Sequence, residues 1–120
     1  MIKDIEEKAK QNTFFRHVLE NGEHSQVVLM SIAPQGEIGE ETHPDNDQIL
    51  YLVEGDGKAV INGEEQPFEE DDLILVKAGT KHNFINTGNE DLKIITIYAP
   101  AHHPAGTIYK TKTEADQATY

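Results

Sequence analysis

Two polar clusters in this 120-residue chain carry the side chains best suited to chemistry. The first is Glu41-Thr42-His43-Pro44-Asp45-Asn46-Asp47-Gln48. The second is Gly79-Thr80-Lys81-His82-Asn83-Phe84-Ile85-Asn86. Glu41 and His43 are two apart, so an extended strand presents both on one face. Gln48 lies an odd step further, but the loop at Pro44-Asp45-Asn46-Asp47 breaks the alternation and lets the next strand re-aim it. His82 follows a glycine turn at the start of a strand, and Phe84 and Asn86 share its face if that strand is regular. Taken singly, His43 and His82 read as hydrogen-bonded core or loop histidines. Brought to face one cavity, they read as a metal pocket.

The elements that must position them are short. Ile2, Ile5 and Ala9 recur at helical spacing, which predicts a short N-terminal helix or an ordered arm. Strands are predicted at Thr13–Glu20, Ser25–Ala33, Gln48–Glu54, Lys58–Ile61, Glu64–Phe68, Leu73–Val76, His82–Asn86 and Leu92–Ala99. Asn21-Gly22 and Asn62-Gly63 are two-residue hairpin signals, because both positions tolerate positive φ. Short strands with turns every eight to twelve residues describe an all-β sandwich or barrel. Three regions are expected: a helix or arm with strands over 1–29, a barrel core over 30–100, and a partly flexible C-terminal segment over 101–120.

One domain fits this length. Without cysteine there is no disulfide framework and no thiolate metal site, which fits a reducing cytosol. No stretch pairs a basic start with an apolar core, so no signal peptide is expected. The longest apolar runs are about five residues, against the ~20 that span a bilayer, so no membrane partner is expected. The formal charge is −12, with 22 acids against 10 bases. Such a surface repels phosphate backbones and argues against nucleic acid as a partner.

Gly39 to Gly55 resembles the first motif of the cupin family, G-x5-H-x-H-x(3,4)-E-x6-G, and Lys77 to Asn86 resembles the second, P-x-G-x2-H-x3-N. The resemblance covers roughly Met30 to Pro100. It implies a double-stranded β-helix, a jelly-roll-like antiparallel barrel, with three His and one Glu pointing inward at a metal. Aligned on E-x6-G, Glu41 falls on the first His, His43 on the second, Gln48 on the Glu and His82 on the second-motif His. Lys77 replaces the motif proline. The implied ligand set is therefore Glu41, His43, Gln48 and His82. It suits one divalent transition metal, Mn, Fe, Ni or Zn, with open positions for water or substrate. Gln48 either binds weakly through Oε1 or hydrogen-bonds behind the ligands, and Glu41 reads equally as a ligand or as part of a solvated acidic face.

Tyr51, Phe84 and Asn86 are candidates for the substrate pocket. Tyr51 alternatively packs with its hydroxyl at the rim, and Asn86 alternatively bridges backbone. His102 and His103 lie in a Pro/Gly-flanked loop. They either stay at the surface, as such histidines commonly do, or fold over the barrel mouth and supply a ligand or an acid–base group. The resemblance implies a small polar or sugar-like substrate and chemistry of the mannose-6-phosphate-isomerase or dioxygenase type. A non-catalytic small-ligand-binding or sensory module is the alternative. Small cupins also lead us to expect a homodimer.

Overall fold

The computed structural model describes residues 1–118. The elements run α1 (Ile5–Gln11), β1 (Arg16–Asn21), β2 (Gln26–Ile32), β3 (Asp47–Glu54), β4 (Gly57–Ile61), β5 (Glu64–Phe68), β6 (Leu73–Val76), β7 (His82–Asn86), β8 (Leu92–Ala99), β9 (Ile108–Tyr109) and α2 (Lys112–Gln117). A six-stranded sheet, ordered β6-β3-β8-β2-β1-β9, faces a three-stranded sheet ordered β5-β4-β7. Every named pairing is antiparallel. The all-β expectation holds, and the N-terminal periodicity is a helix. Its Ala9 packs with Leu29 and Val53 on the outer face of the large sheet.

Register decides what faces inward, because strand side chains alternate between faces. Gln48, Tyr98 and Gln26 form one inward row, and Leu50, Thr96, Val28 and Val18 the next. A third row is Leu52, Ile94, Met30 and Arg16. All eleven residues are buried. From the small sheet come Ala59, Phe68 and Phe84, which join the same core. The interior is thus apolar through most of its depth and polar at the row that Gln48 begins.

Two turn signals fared differently. Asn62 and Gly63 both take positive φ, 51° and 83°, and join β4 to β5. Asn21, by contrast, ends β1, and a longer loop closed by the Gly22 N–H on the Ser25 carbonyl (2.8 Å) leads to β2. Within the C-terminal segment over 101–120, Thr111 caps α2 by accepting from the Glu114 N–H. Residues 119–120 lie outside the described residues.

Asn86 is a brace at the far end of β7. Its Nδ2 donates to the Ile32 carbonyl (2.9 Å) and the Glu90 carbonyl (2.8 Å), and its Oδ1 accepts from the Gly88 N–H (2.9 Å). It is 1 % exposed, so no water replaces these bonds without rearrangement. Asn86→Ala is expected to lower unfolding free energy by about 3 kcal/mol, since it removes three hydrogen bonds and strands the buried Ile32 carbonyl. Urea titration reads this, and a loss below about 1 kcal/mol would show that the turn closes without Asn86.

Candidate functional site

The two polar clusters are joined through their backbones. Glu41 and His82 exchange N–H to carbonyl bonds, each 2.9 Å, and the Gly79 N–H donates to the His43 carbonyl at 2.8 Å. Asp47 Oδ1 accepts the Ala78 N–H at 2.9 Å. Gly79 sits at φ 83°, a conformation open to glycine, and this places the turn beneath His43. His43 and His82 stand with ring centroids 5.2 Å apart. His43 Nε2 lies 3.4 Å from a Glu41 carboxylate oxygen. The Glu41, His43 and His82 expected to meet do meet.

The loop after β8 then folds across this end of the barrel. Gln26, fully buried, donates from Nε2 to the His103 carbonyl (2.6 Å), and its Oε1 accepts the N–H groups of His102 (3.3 Å) and His103 (3.1 Å). Asn46 donates to the Pro100 carbonyl at 2.6 Å. His102 consequently lies 4.4 Å from His43, ring to ring, and stacks on Tyr98 at 5.5 Å. His103 meets the same tyrosine edge-on at 5.0 Å. His103 is buried and His102 half-buried, so the loop is folded over the barrel end rather than left at the surface. Residues 98, 26 and 16 were missed by sequence reasoning. The signal for Tyr98 was its even spacing from Thr96, Ile94 and Leu92 along one face.

Hydrogen bonding sorts the donors. His82 Nδ1 is 2.9 Å from the Thr80 carbonyl, which can only accept, so Nδ1 carries the proton and Nε2 keeps its lone pair. Gln48 Nε2 donates to Thr96 Oγ1 (3.0 Å) and to Tyr98 Oη (3.2 Å), and its buried Oε1 has no hydrogen-bond partner. His43 Nε2 is likewise buried without one. A metal ion or an ordered polar ligand would satisfy both. The donor chemistry fits a divalent transition ion. Among the described residues, no three His, Asp or Glu side chains already converge as a ligand group, so loading requires side-chain adjustment.

The other expected pocket residues go elsewhere. Tyr51 is three positions from Gln48 and so faces outward, beside α1, where its hydroxyl donates to Asp71 at 2.6 Å. That bond raises its pKa to about 12. Phe84 is fully buried against Phe68, with centroids 5.2 Å apart, and its ring is 6.1 Å from His82. Asn86 braces backbone, as described above.

The family model for the cupin domain matches residues 28–98. The chain belongs to the cupin family. YrkC of Bacillus subtilis is 43% identical to this cupin over 121 residues, covering 95% of this chain and 64% of YrkC. The chain therefore spans less than two thirds of that relative's length. The crystal structure of a Bacillus halodurans protein superposes with a TM-score of 0.96 at 42% identity, covering 98% of this chain and 94% of the other. That of a predicted oxalate decarboxylase from Thermotoga maritima gives a TM-score of 0.61 at 26% identity, covering 63% and 66%. No helix among the described residues is long and apolar enough to cross a membrane.

Burial dominates the electrostatics of this cupin's site. It lowers the His43 pKa to about 4 and that of His103 to about 2, and it lowers His102 as well. Burial also raises the Glu41 carboxyl, against the opposing pull of Arg16 and His82. The histidines fold neutral and protonate more readily unfolded. The stability they contribute is complete above about pH 6.5 and is lost as pH falls toward 4. Glu41 acts oppositely, weakening the fold as pH rises through its raised value, but it is one group against two strongly lowered histidines. The metal-free protein is expected to show a falling Tm between about pH 7 and pH 4, with a shallower slope in His43→Asn. A flat profile would contradict neutral burial of these rings.

Proposed function

We propose that this cupin binds a small oxygen-rich molecule at its histidine end and acts on it with the help of one divalent transition metal, Mn, Fe, Ni or Zn. The observation that carries this is the pair of buried polar atoms without a hydrogen-bond partner, His43 Nε2, 3.4 Å from the Glu41 carboxylate, and Gln48 Oε1, where the His82 and His102 rings gather. Glu41, His43, His82 and Gln48 Oε1 would hold the ion. When bound, such an ion supplies Lewis acidity toward a carbonyl or carboxylate oxygen, which suits isomerase-type or oxygenase-type chemistry.

The chain's own residues do the rest. Tyr98 and Thr96 fix the Gln48 amide by accepting its N–H groups. The Thr80 carbonyl fixes the His82 tautomer. His102 is neutral near pH 7 and is placed to accept a proton from a bound molecule. The loop held by Gln26 excludes water from the rings. Similarity to the Thermotoga maritima structure supports a short carboxylic acid among the candidate substrates, beside a sugar.

A second reading is favoured by the 4.4 Å approach of His102 to His43. A fifth side chain over the site would close it, leaving a binding or sensory cupin without turnover. Incubating chelator-stripped protein with each ion in turn, then measuring bound metal, tests the first reading. About one equivalent supports it, and no uptake of any of the four ends it in favour of a metal-free binding barrel.

A homodimer and a cytoplasmic location belong to the same proposal. Leu73 and Leu75, on the edge strand β6, are 65 % and 51 % exposed and would be covered by a second copy. A mass of one chain by light scattering in dilute solution would sink the dimer.

A further inference from the structure

Arg16 is the only arginine in the chain, and it is 4 % exposed. Burying a guanidinium is costly unless its donors are met. Here its Nε has no hydrogen-bond partner, and among the described residues it forms no ion pair. Its only described close partner is the ring of Phe15, 5.2 Å from Cζ. Arg16 lies opposite the core residue Met30 and two positions before the core residue Val18, so its side chain starts into the barrel.

An open cavity of about 330 Å³ lies against it, between the start of β1, the segment Ile38–Glu41 and α2. Arg16, Glu41, Ile38, Lys112 and Asp116 line this cavity, with Glu40 beside them. Lys112 is paired with Asp116 at 2.6 Å. Arg16 is the cation lining this cavity that has no ion pair among the described residues. Glu41 belongs to both places, since it lines the cavity and its carboxylate lies 3.4 Å from His43 Nε2. The field of Arg16 reaches the histidines too, where it disfavours their protonated forms.

We propose that Arg16 is the anion-binding residue of this cupin: its guanidinium takes the carboxylate of a small acid that enters through the cavity between β1 and α2 and lies beside Glu41 and the histidine cluster. The inference rests on the small-ligand reading above and narrows it from sugar or acid to acid. A planar fork of donors matches a carboxylate and has no comparable match in a neutral polyol. Such an anion would also supply the acceptors that the buried guanidinium lacks.

The test is calorimetric titration of the full chain with oxalate, acetate and erythritol, in the wild type, Arg16→Gln and Arg16→Lys. Oxalate or acetate is expected to bind the wild type and erythritol not to. Arg16→Gln is expected to weaken acid binding roughly ten- to a hundredfold, the value of charge-assisted hydrogen bonds to one group. Arg16→Lys should recover only part, because an ammonium lacks the fork. Metal uptake should be equal in all three proteins. Equal oxalate affinity in the wild type and Arg16→Gln overturns the proposal, as does a wild type that binds erythritol and neither acid.

Repeating the titration on chelator-stripped protein separates the two readings. Arg16-dependent acid binding that survives without metal keeps the subsite whatever becomes of the metal. Metal uptake with no dependence of acid binding on Arg16 keeps the metal and removes the subsite. Should Arg16→Gln fail to fold, the wild-type Tm still decides. It should rise with oxalate at matched ionic strength, and an unmoved Tm overturns the proposal.

Discussion

His82→Ala is expected to abolish metal uptake while leaving the barrel folded. Its ring is oriented by the Thr80 carbonyl and stands 5.2 Å from His43, at the junction where the two polar clusters exchange backbone bonds. Those bonds involve the main chain of residue 82, so alanine preserves them. Removing the ring takes away one of the two imidazoles that the cupin motifs assign to an ion. Changes behind a ligand cost about 10–100-fold in affinity, and loss of the ligand itself should exceed that. The measurement is elemental analysis of wild type and variant after loading, with circular dichroism to check the fold. His102→Ala is the informative companion. If it keeps its metal, His102 is a cover and proton acceptor. If it loses the metal as His82→Ala does, His102 is a ligand and the closed-site reading gains. Metal retained at full occupancy by His82→Ala would remove the site as drawn.

Phe84→Ala should produce the largest loss of stability among single changes in β7. The ring is fully buried in the main core and packs on Phe68. Truncating a buried phenylalanine costs about 3–5 kcal/mol, through lost transfer energy and the cavity left behind. That is a large share of the ~5–15 kcal/mol that holds a domain of this kind folded. The ring also stands 6.1 Å from His82, so the cavity would loosen that imidazole, and weaker metal binding should accompany lower stability. Denaturant titration gives the first quantity and metal competition the second. A pocket-lining phenylalanine would behave differently, changing ligand affinity with little loss of stability. A cost below about 1 kcal/mol would place Phe84 at the ligand after all.

Much of this architecture is local and was therefore readable. Alternation within a strand is a property of the chain itself. It put Glu41 with His43, and His82 with Phe84 and Asn86, on shared faces. The Asn62-Gly63 turn follows from the φ values those residues tolerate. The same alternation contained the answer for Tyr51: if Gln48 faces in, a residue three positions on faces out. On that outer face Tyr51 packs beside Ala9 of α1 rather than entering the barrel.

The amino-acid sequence alone determined the short strands, the Asn62-Gly63 turn and the shared faces within each polar cluster, because strand periodicity and turn preferences act over a few residues. The cupin barrel and the gathering of Glu41, His43 and His82 were what the resemblance to the two cupin motifs implied. Only the tertiary structure decided that Gln26 pins the His102–His103 loop across that end, 77 positions away, that Tyr98 and Thr96 hold the Gln48 amide, and that Arg16 is buried beside Glu41. Each of these depends on which strands become neighbours and in what register, and that is set by burying the whole core at once rather than by any residue's local preference.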